Sequence, residues 1–375
     1  MRAPRRTTRR LVPLTLTAGA AALALVVAGC GSDDNSSSNS GGGGAAATKS
    51  AGKVAVLLPD SKSSVRWETV DRPFLKAAFA KAGVEATIQN AEGDKSAQQQ
   101  QAEQAITNGA KVLLLVNLDS GSGAAIAANA KSQGVKVIDY DRLTLKGSSD
   151  YYVSFDNEQV GKLQGEGLVS CLGNATKPAV AVLNGSPTDN NATLFANGYN
   201  SVIDPKFKSG AWTKVDDQSV PDWDNQKALT IFEQMLQKSS NKVNGVLAAN
   251  DGLGNAAISA IKARKLDQIP VTGQDATLQG IQNIVAGDQC MTVYKAIQKE
   301  ADAAAALATS LAKGETPTGV TAKVNNETTD VPAVLLAPVA VTKDNIKQYI
   351  GQPDFPKQAE ICAGKLAAKC KAIGL

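Results

Sequence analysis

From Lys53 onward, short apolar runs rich in β-branched residues alternate with longer stretches of helical period. Val54–Leu58, Glu85–Ile88, Val112–Val116 and Val135–Ile138 predict strands, and Val65–Ala82, Ser96–Asn108 and Gly121–Gln133 predict the helices between them. Strand starts roughly 25 to 30 residues apart match successive β-α-β units, so a parallel sheet is expected. Gly83, Gly109 and Gly134 follow the helices, where a left-handed cap favours glycine. A second series opens near Phe155, with helices at 157–171, 190–203, 223–238, 253–265 and 276–286 and strands at 179–183, 243–249, 270–273 and 290–294. Ala296–Lys313 is a strong helix by propensity, and two short strand-like pieces follow, Val320–Val324 and Ala333–Leu336. The pattern predicts an α/β protein of two Rossmann-like lobes with a cleft between them, where pockets preferentially occur.

Five of the apolar runs stop at polar clusters. Lys136–Tyr140 ends at Asp141 and Arg142, Ala179–Leu183 precedes Asp189 to Asn191, and Val243–Ala249 ends at Asn250 and Asp251. Pro270–Gly273 ends at Gln274 and Asp275, and Met291–Val293 at Tyr294 and Lys295. In open α/β sheets a ligand binds beyond the carboxyl ends of the strands, so recurrence of such clusters marks a site more strongly than any one of them. Each alone has a plainer reading: Asp141 and Arg142 as a surface ion pair, Asp189 and Asn250 as helix caps or turn residues. Arg66 and Trp67 follow the first strand, where an aromatic face and a guanidinium suit a sugar ring and its hydroxyls. Trp223, between Asp222 and Asp224, offers a second aromatic face, whereas Trp212 lacks such neighbours and reads as packing. The groups are hydrogen-bonding and charged in both signs, which suits a neutral, hydroxyl-rich ligand.

Composition narrows the function classes. The chain has 375 residues, enough for two domains, with 43% hydrophobic and 20% charged residues. Its formal charge of +4 is set by five arginines in residues 1–29, which hold no acid; the remainder has 34 basic against 35 acidic side chains. That near-neutral body carries no electrostatic footprint for nucleic acid. There is no histidine, no Gly-x-Ser-x-Gly elbow and no phosphate loop, so an enzyme is not expected and neither a cofactor nor a metal is called for. Asp189 and Asp275 as a hydrolytic carboxylate pair are the one enzymatic alternative.

The first residues read as a processing signal. Five arginines, an apolar run from Leu11 to Val27 and Val27-Ala28-Gly29-Cys30 are similar to a bacterial lipobox, making Cys30 the lipidated first residue of the mature chain. A membrane-spanning anchor is the alternative, since the run approaches the ~20 residues that cross a bilayer. Arg9-Arg10 leaves the export route open. Residues 30–52, rich in Ser, Gly and Asn, predict a flexible tether. Outside the cytoplasm the remaining four cysteines, Cys171, Cys290, Cys362 and Cys370, allow up to two disulfides in three pairings. A Cys362–Cys370 pair needs a bend, because eight residues of straight helix span about 12 Å.

Taken with these clusters, Tyr140-Asp141-Arg142, Tyr152–Glu158, Gly185–Ala192, Asn250-Asp251, Gly273–Ala276 and Met291–Lys295 make the sequence similar to a known family. It resembles the bacterial periplasmic sugar-binding proteins of the type I, ribose-binding-like superfamily, in the branch serving D-xylose importers. The resemblance implies a three-strand hinge, with crossings near Ser154–Asp156, Tyr294–Ala296 and Leu336–Pro338. The implied lobes are 53–154 plus 296–336 and 155–295 plus 337–375. It implies sugar contacts from Arg66, Asp141, Arg142, Asp189, Asn191, Asn250, Asp275 and Lys295, with Trp67 and Trp223 as stacking faces. The expected partners are a monosaccharide, D-xylose first, the permease of an ABC importer, and the membrane through the lipid on Cys30, with the protein itself a monomer on the outer face of the cell membrane. A sensory receptor for a membrane signalling partner, taking another pentose or hexose, is the rival. The chain departs from the pattern at Asp217-Gln218-Ser219, where the family has Asp-Gln-Trp, so one aromatic wall is expected to be missing or replaced.

Overall fold

The structure, a computed structural model, describes residues 52–375. The expected signal peptide, the Cys30 lipidation site and nearly all of the tether lie outside the described residues. The first lobe begins with strands β1 (Lys53–Leu58), β2 (Ala86–Asn90), β3 (Ala110–Leu115), β4 (Lys136–Tyr140) and β5 (Tyr151–Phe155), alternating with helices α1 (Arg72–Ala82), α2 (Lys95–Thr107) and α3 (Ser120–Ser132). β1 is buried along nearly its whole length because helices cover both faces of a parallel sheet. Val54, Val56 and Leu58 face Leu75 and Phe79 of α1, while Ala55 and Leu57 face α2 and α3.

The second series is α4 (Asn157–Leu172), β6 (Ala179–Asn184), α5 (Asn190–Lys208), β7 (Thr213–Ser219), α6 (Asn225–Lys238), β8 (Gly245–Ala248), α7 (Asp251–Ala263), α8 (Leu278–Ala286) and β9 (Met291–Tyr294). Then come α9 (Ile297–Lys313), β10 (Ala322–Asn325), β11 (Asp330–Leu336) and β12 (Val339–Thr342). The first sheet has the order β10-β11-β5-β4-β3-β1-β2 and is parallel except for the β10–β11 hairpin. In the second, β7-β6-β8 are parallel, and Val271 joins β8 by a single bridge beside Val246. β9 and β12 pair antiparallel alongside the Val271 segment, which accepts the Cys290 amide. The chain passes from the first sheet to the second lobe after Phe155, back through α9 after Tyr294, and out again between β11 and β12. This is the type I periplasmic binding protein fold.

The predicted elements differ from the structure where local chemistry hides the period. Helix 65–82 opens instead with a π-helical turn, Trp67–Asp71, before α1. Helix 223–238 starts at Asn225, because Asp222 and Trp223 take left-handed backbone conformations (φ 59° and 55°) and Asp224 supplies the cap. The run 270–273 makes one bridge rather than a full strand. β5, β7 and β12 are not among the predicted strands; in β7, Thr-Lys-Val-Asp-Asp-Gln-Ser carries the polar residues of a protected sheet edge and almost no apolar alternation. Of the three disulfide pairings the structure has Cys171–Cys290 and Cys362–Cys370. The required bend falls at Gly364 (φ 59°), bringing Cys362 and Cys370 to 5.7 Å between Cα atoms. Trp212 packs edge-on against Phe207 in the second core. No helix among the described residues is long and apolar enough to cross a membrane.

Candidate binding site

Arg66 enters the π-helical turn and is held from three sides. Its Nε and Nη2 each donate to one oxygen of Asp71 at 2.8 Å, Nη2 also to Glu300 at 2.8 Å, and Nη1 to Asp141 Oδ2 at 2.8 Å. The wide turn brings Asp71 back under Arg66, and π-helical turns recur at functional sites for this kind of re-aiming. Four of the five guanidinium N–H bonds are thereby used, leaving one Nη1 hydrogen. Tyr140 donates to the same Asp71 carboxylate at 2.7 Å. Burial alone would lower the Arg66 pKa, but the carboxylates of Asp71, Asp141 and Glu300 together hold it well above the ordinary value. Burial, aided by the charges of Asp141 and Asp71, pushes the Glu300 carboxyl well up from its ordinary value despite the opposing pull of Arg66.

Asp141 leaves β4 in a left-handed conformation, φ 64°. Such a residue persists only when its surroundings over-determine it. Here its carbonyl accepts from Ser154 Oγ at 2.8 Å and from Tyr152 Oη and Asn191 Nδ2 at 3.1 Å each. The turn aims the Asp141 carboxylate at Arg66 and Lys295. Burial opposes its charge, and Arg66, Lys295 and Arg142 overcome that opposition, holding its pKa below the usual carboxylate value. Asp275 is left-handed too (φ 97°), its amide bonded to the Val293 carbonyl at 2.9 Å.

The two lobes meet through these side chains. Arg142 Nε lies 3.0 Å from Asp189 Oδ2, Asn191 Nδ2 donates to Asp141 Oδ1 at 3.0 Å, and Ser64 Oγ donates to Asp275 at 3.3 Å. Lys295 Nζ stands 3.2 Å from Asp275 and 3.9 Å from Asp141. Asp189 caps α5 through the Asn191 amide and accepts the Trp223 indole N–H at 3.1 Å, so its capping role and its place in the cleft coexist. Asn250 likewise caps α7 while its side chain reaches the cleft.

All ten residues expected from the sequence, Arg66, Trp67, Asp141, Arg142, Asp189, Asn191, Trp223, Asn250, Asp275 and Lys295, line one cleft. Its free volume is about 30 Å³, well below the roughly 300–1,000 Å³ of small-molecule pockets, because side chains of the two lobes already pair across it. Ser63, Ser64, Phe195 and Gln274 also line it and were not among those expected. Gln274 adjoins Asp275 at a strand end and carries the same signal, whereas Phe195 lies inside α5, where nothing in the sequence separates it from a core residue. Two guanidinium groups lie against the Trp67 ring, Arg66 at 4.5 Å and Arg142 at 5.5 Å from its centre. Trp223 meets Phe195 edge-on at 6.3 Å. Ser219 is exposed and does not line the cleft. Arg142 Nε and Asp275 Oδ1 face Asp189 and Lys295 in ion pairs without an aligned hydrogen bond, whereas Gln274 Oε1 is buried there with no hydrogen-bond partner. Buried polar atoms are normally satisfied, so the Gln274 oxygen is a valence available to a polar ligand. Most charges are already paired with opposite charges, and the arrangement suits a guest that is uncharged but rich in hydroxyls.

Comparison with known proteins bears on the family and the fold. The sequence profile of the periplasmic binding protein domain matches residues 54–316. The chain is 37% identical over 310 residues to the D-xylose-binding periplasmic protein of Escherichia coli (strain K12), covering 82% of this chain and 92% of that one. It is 40% identical over 299 residues to the D-xylose-binding periplasmic protein of Haemophilus influenzae, covering 79% and 88%. A carbohydrate transporter solute-binding protein from Chloroflexus aurantiacus, solved in complex with D-glucose, superposes with a TM-score of 0.75 at 30% identity, covering 81% of this chain and 98% of that one. Two lobes joined by three chain crossings, loop-tip side chains converging between them, and a profile match over most of the described residues together make this chain a member of the periplasmic binding protein family.

Proposed function

We propose that this protein is a lipid-anchored, extracytoplasmic receptor that captures one monosaccharide, D-xylose first among candidates, and delivers it to the permease of an ABC importer. The observation that carries the reading is the convergence of ten polar and aromatic side chains from both lobes on one small cleft whose charges are already paired. Similarity to two D-xylose-binding proteins supports the sugar, and the D-glucose-bound neighbour sets the class that competes with it. The mechanism is binding and closure. A sugar touching Arg66 and Asp141 on one lobe and Asp189 and Asn250 on the other favours the closed form, because only there are both sets of contacts made. Hydrogen bonds to ionised partners in a site that excludes water give direction and strength. The lipid on Cys30 and the tether would keep the receptor beside the membrane.

Calorimetric titration of the mature protein against D-xylose, D-glucose, D-ribose and L-arabinose tests this. Saturable one-to-one binding with D-xylose tightest is the expected result. Preference for a hexose removes the pentose assignment, and no heat with any sugar overturns the receptor reading. In the same assay Asp275→Ala should weaken binding tenfold or more, given about 1.5–3 kcal/mol for a hydrogen bond to a charged group, with far-UV circular dichroism unchanged. An unaltered affinity would remove Asp275 from the site.

A further inference from the structure

Beyond β12 the chain forms a tail seated on the second lobe, where Ile346, Phe355, Ile361 and Cys370 pack with Ile281 and Ile284 of α8. The Cys362–Cys370 bond closes its end. From this tail Asp354 reaches the middle crossing between the lobes. One of its oxygens accepts the Tyr294 hydroxyl, and the other accepts the backbone N–H of Gln298 at 3.1 Å. Gln298 is the second residue of α9, whose own N-cap, Ala296, has no side-chain acceptor. A helix start needs such acceptors, and here a residue 56 positions away supplies one. Phe355 packs on Tyr294 and Tyr349, with ring centres 5.4 and 5.9 Å away.

The segment gripped in this way carries two charges of the binding site. Lys295 follows Tyr294 directly and points at Asp275 and Asp141. Glu300 lies in the first turn of α9 and holds Arg66. The second-lobe tail therefore fixes both flanks of the segment through which α9 enters the first lobe. We propose that Asp354 is a positioning residue for the cleft: by capping α9 and holding Tyr294 it sets Lys295 and the Glu300–Arg66 pair, so the tail takes part in ligand binding without touching the ligand. The inference rests on reading the cleft as the ligand site, and its test has one arm that needs no ligand.

Amide hydrogen exchange of the mature protein without sugar is compared among wild type, Asp354→Ala and Asp354→Asn. Asp354→Ala should accelerate exchange at least tenfold in residues 295–300 and also in 66–71, with Asp354→Asn, which keeps an acceptor, falling between. Acceleration confined to residues 349–375 overturns the proposal. Tyr294→Phe, which removes one of the two bonds, carries the same test should Asp354→Ala not fold. In titrations with whichever sugar wild type binds, Asp354→Ala should weaken affinity about tenfold, and by less than threefold when Lys295→Ala is already present. Equal losses in the two backgrounds also overturn it. Absence of any sugar binding by wild type would sink the receptor reading, while the exchange data still decide the role of Asp354.

Discussion

Asp139 is an acid in the middle of an apolar strand, fully buried, with one oxygen accepting the Thr144 amide at 2.7 Å and the other the hydroxyls of Thr144 and Ser149. Burial outweighs those bonds and raises its pKa to about 7. Asp251, enclosed by Gln289, Thr292 and Thr277, is raised to about 6 for the same first reason. Both groups keep a proton in the folded chain at pH values where the unfolded chain has lost it. Their contribution to stability is therefore full below the ordinary carboxylate range and is lost as pH rises to about 7 for Asp139 and about 6 for Asp251. Urea unfolding of Asp139→Asn at pH 4.5 and 7 should show the wild-type decline between them reduced, by up to about 1.4 kcal/mol per pH unit over that window. An unchanged difference would mean that Asp139 is ionised in the folded state. The sequence made most of the cleft residues legible because Asp141, Arg142, Asp189, Asn250, Asp275 and Lys295 stand beyond strand ends with an excess of polar neighbours. Asp71 and Glu300 escaped notice: both sit in helical stretches where an acid ordinarily faces water, and only the fold reveals that they converge on Arg66.

Helix pairing in the second lobe depends on missing side chains. A Cβ at Gly161 of α4 would overlap the backbone of Phe195, and one at Gly198 of α5 the backbone of Glu158 and Lys162. Close approach of α4 and α5 brings Asn157, at the start of one, within 3.0 Å of Asn191 at the start of the other. In an open helix Gly→Ala stabilises by roughly 1 kcal/mol. Here Gly161→Ala should reverse sign and destabilise by about 1–3 kcal/mol through overpacking against backbone that cannot yield, measurable by urea unfolding. Stabilisation would mean that the two helices separate readily. At this scale the elements with strong periodicity were legible, and those shaped by their neighbours were not. Nothing in Trp67–Asp71 itself distinguishes a π-helical turn from an α-helix, and β7 owes its extended form to β6 rather than to its own residues. Gly185 belongs with the same lesson: a Cβ there would occupy the Trp223 ring, so a glycine that reads as a turn residue also makes room for one aromatic wall of the cleft.

Across the whole molecule, two lobes of ordinary α/β construction are joined at three places, and the site forms where both contribute. The two-lobe plan was legible because strand and helix periods alternate through most of both lobes. The pairing of cysteines was not, since sequence separation says nothing about which chain ends the fold brings together. Cys171 ends α4 and Cys290 precedes β9, and their bond spans 119 residues of sequence. Replacing both with alanine should destabilise the protein by about 2–5 kcal/mol in denaturant unfolding, as loss of a native disulfide ordinarily does. No change would mean that non-covalent packing alone specifies this lobe. The bond also makes residues 171–290 a closed covalent loop holding β6, β7 and β8. A protease that nicks the exposed turn after α6 cannot release a fragment: both pieces stay in one molecule until a reductant opens the loop, and the cut chain keeps Asp189 and Asn250 on a single framework.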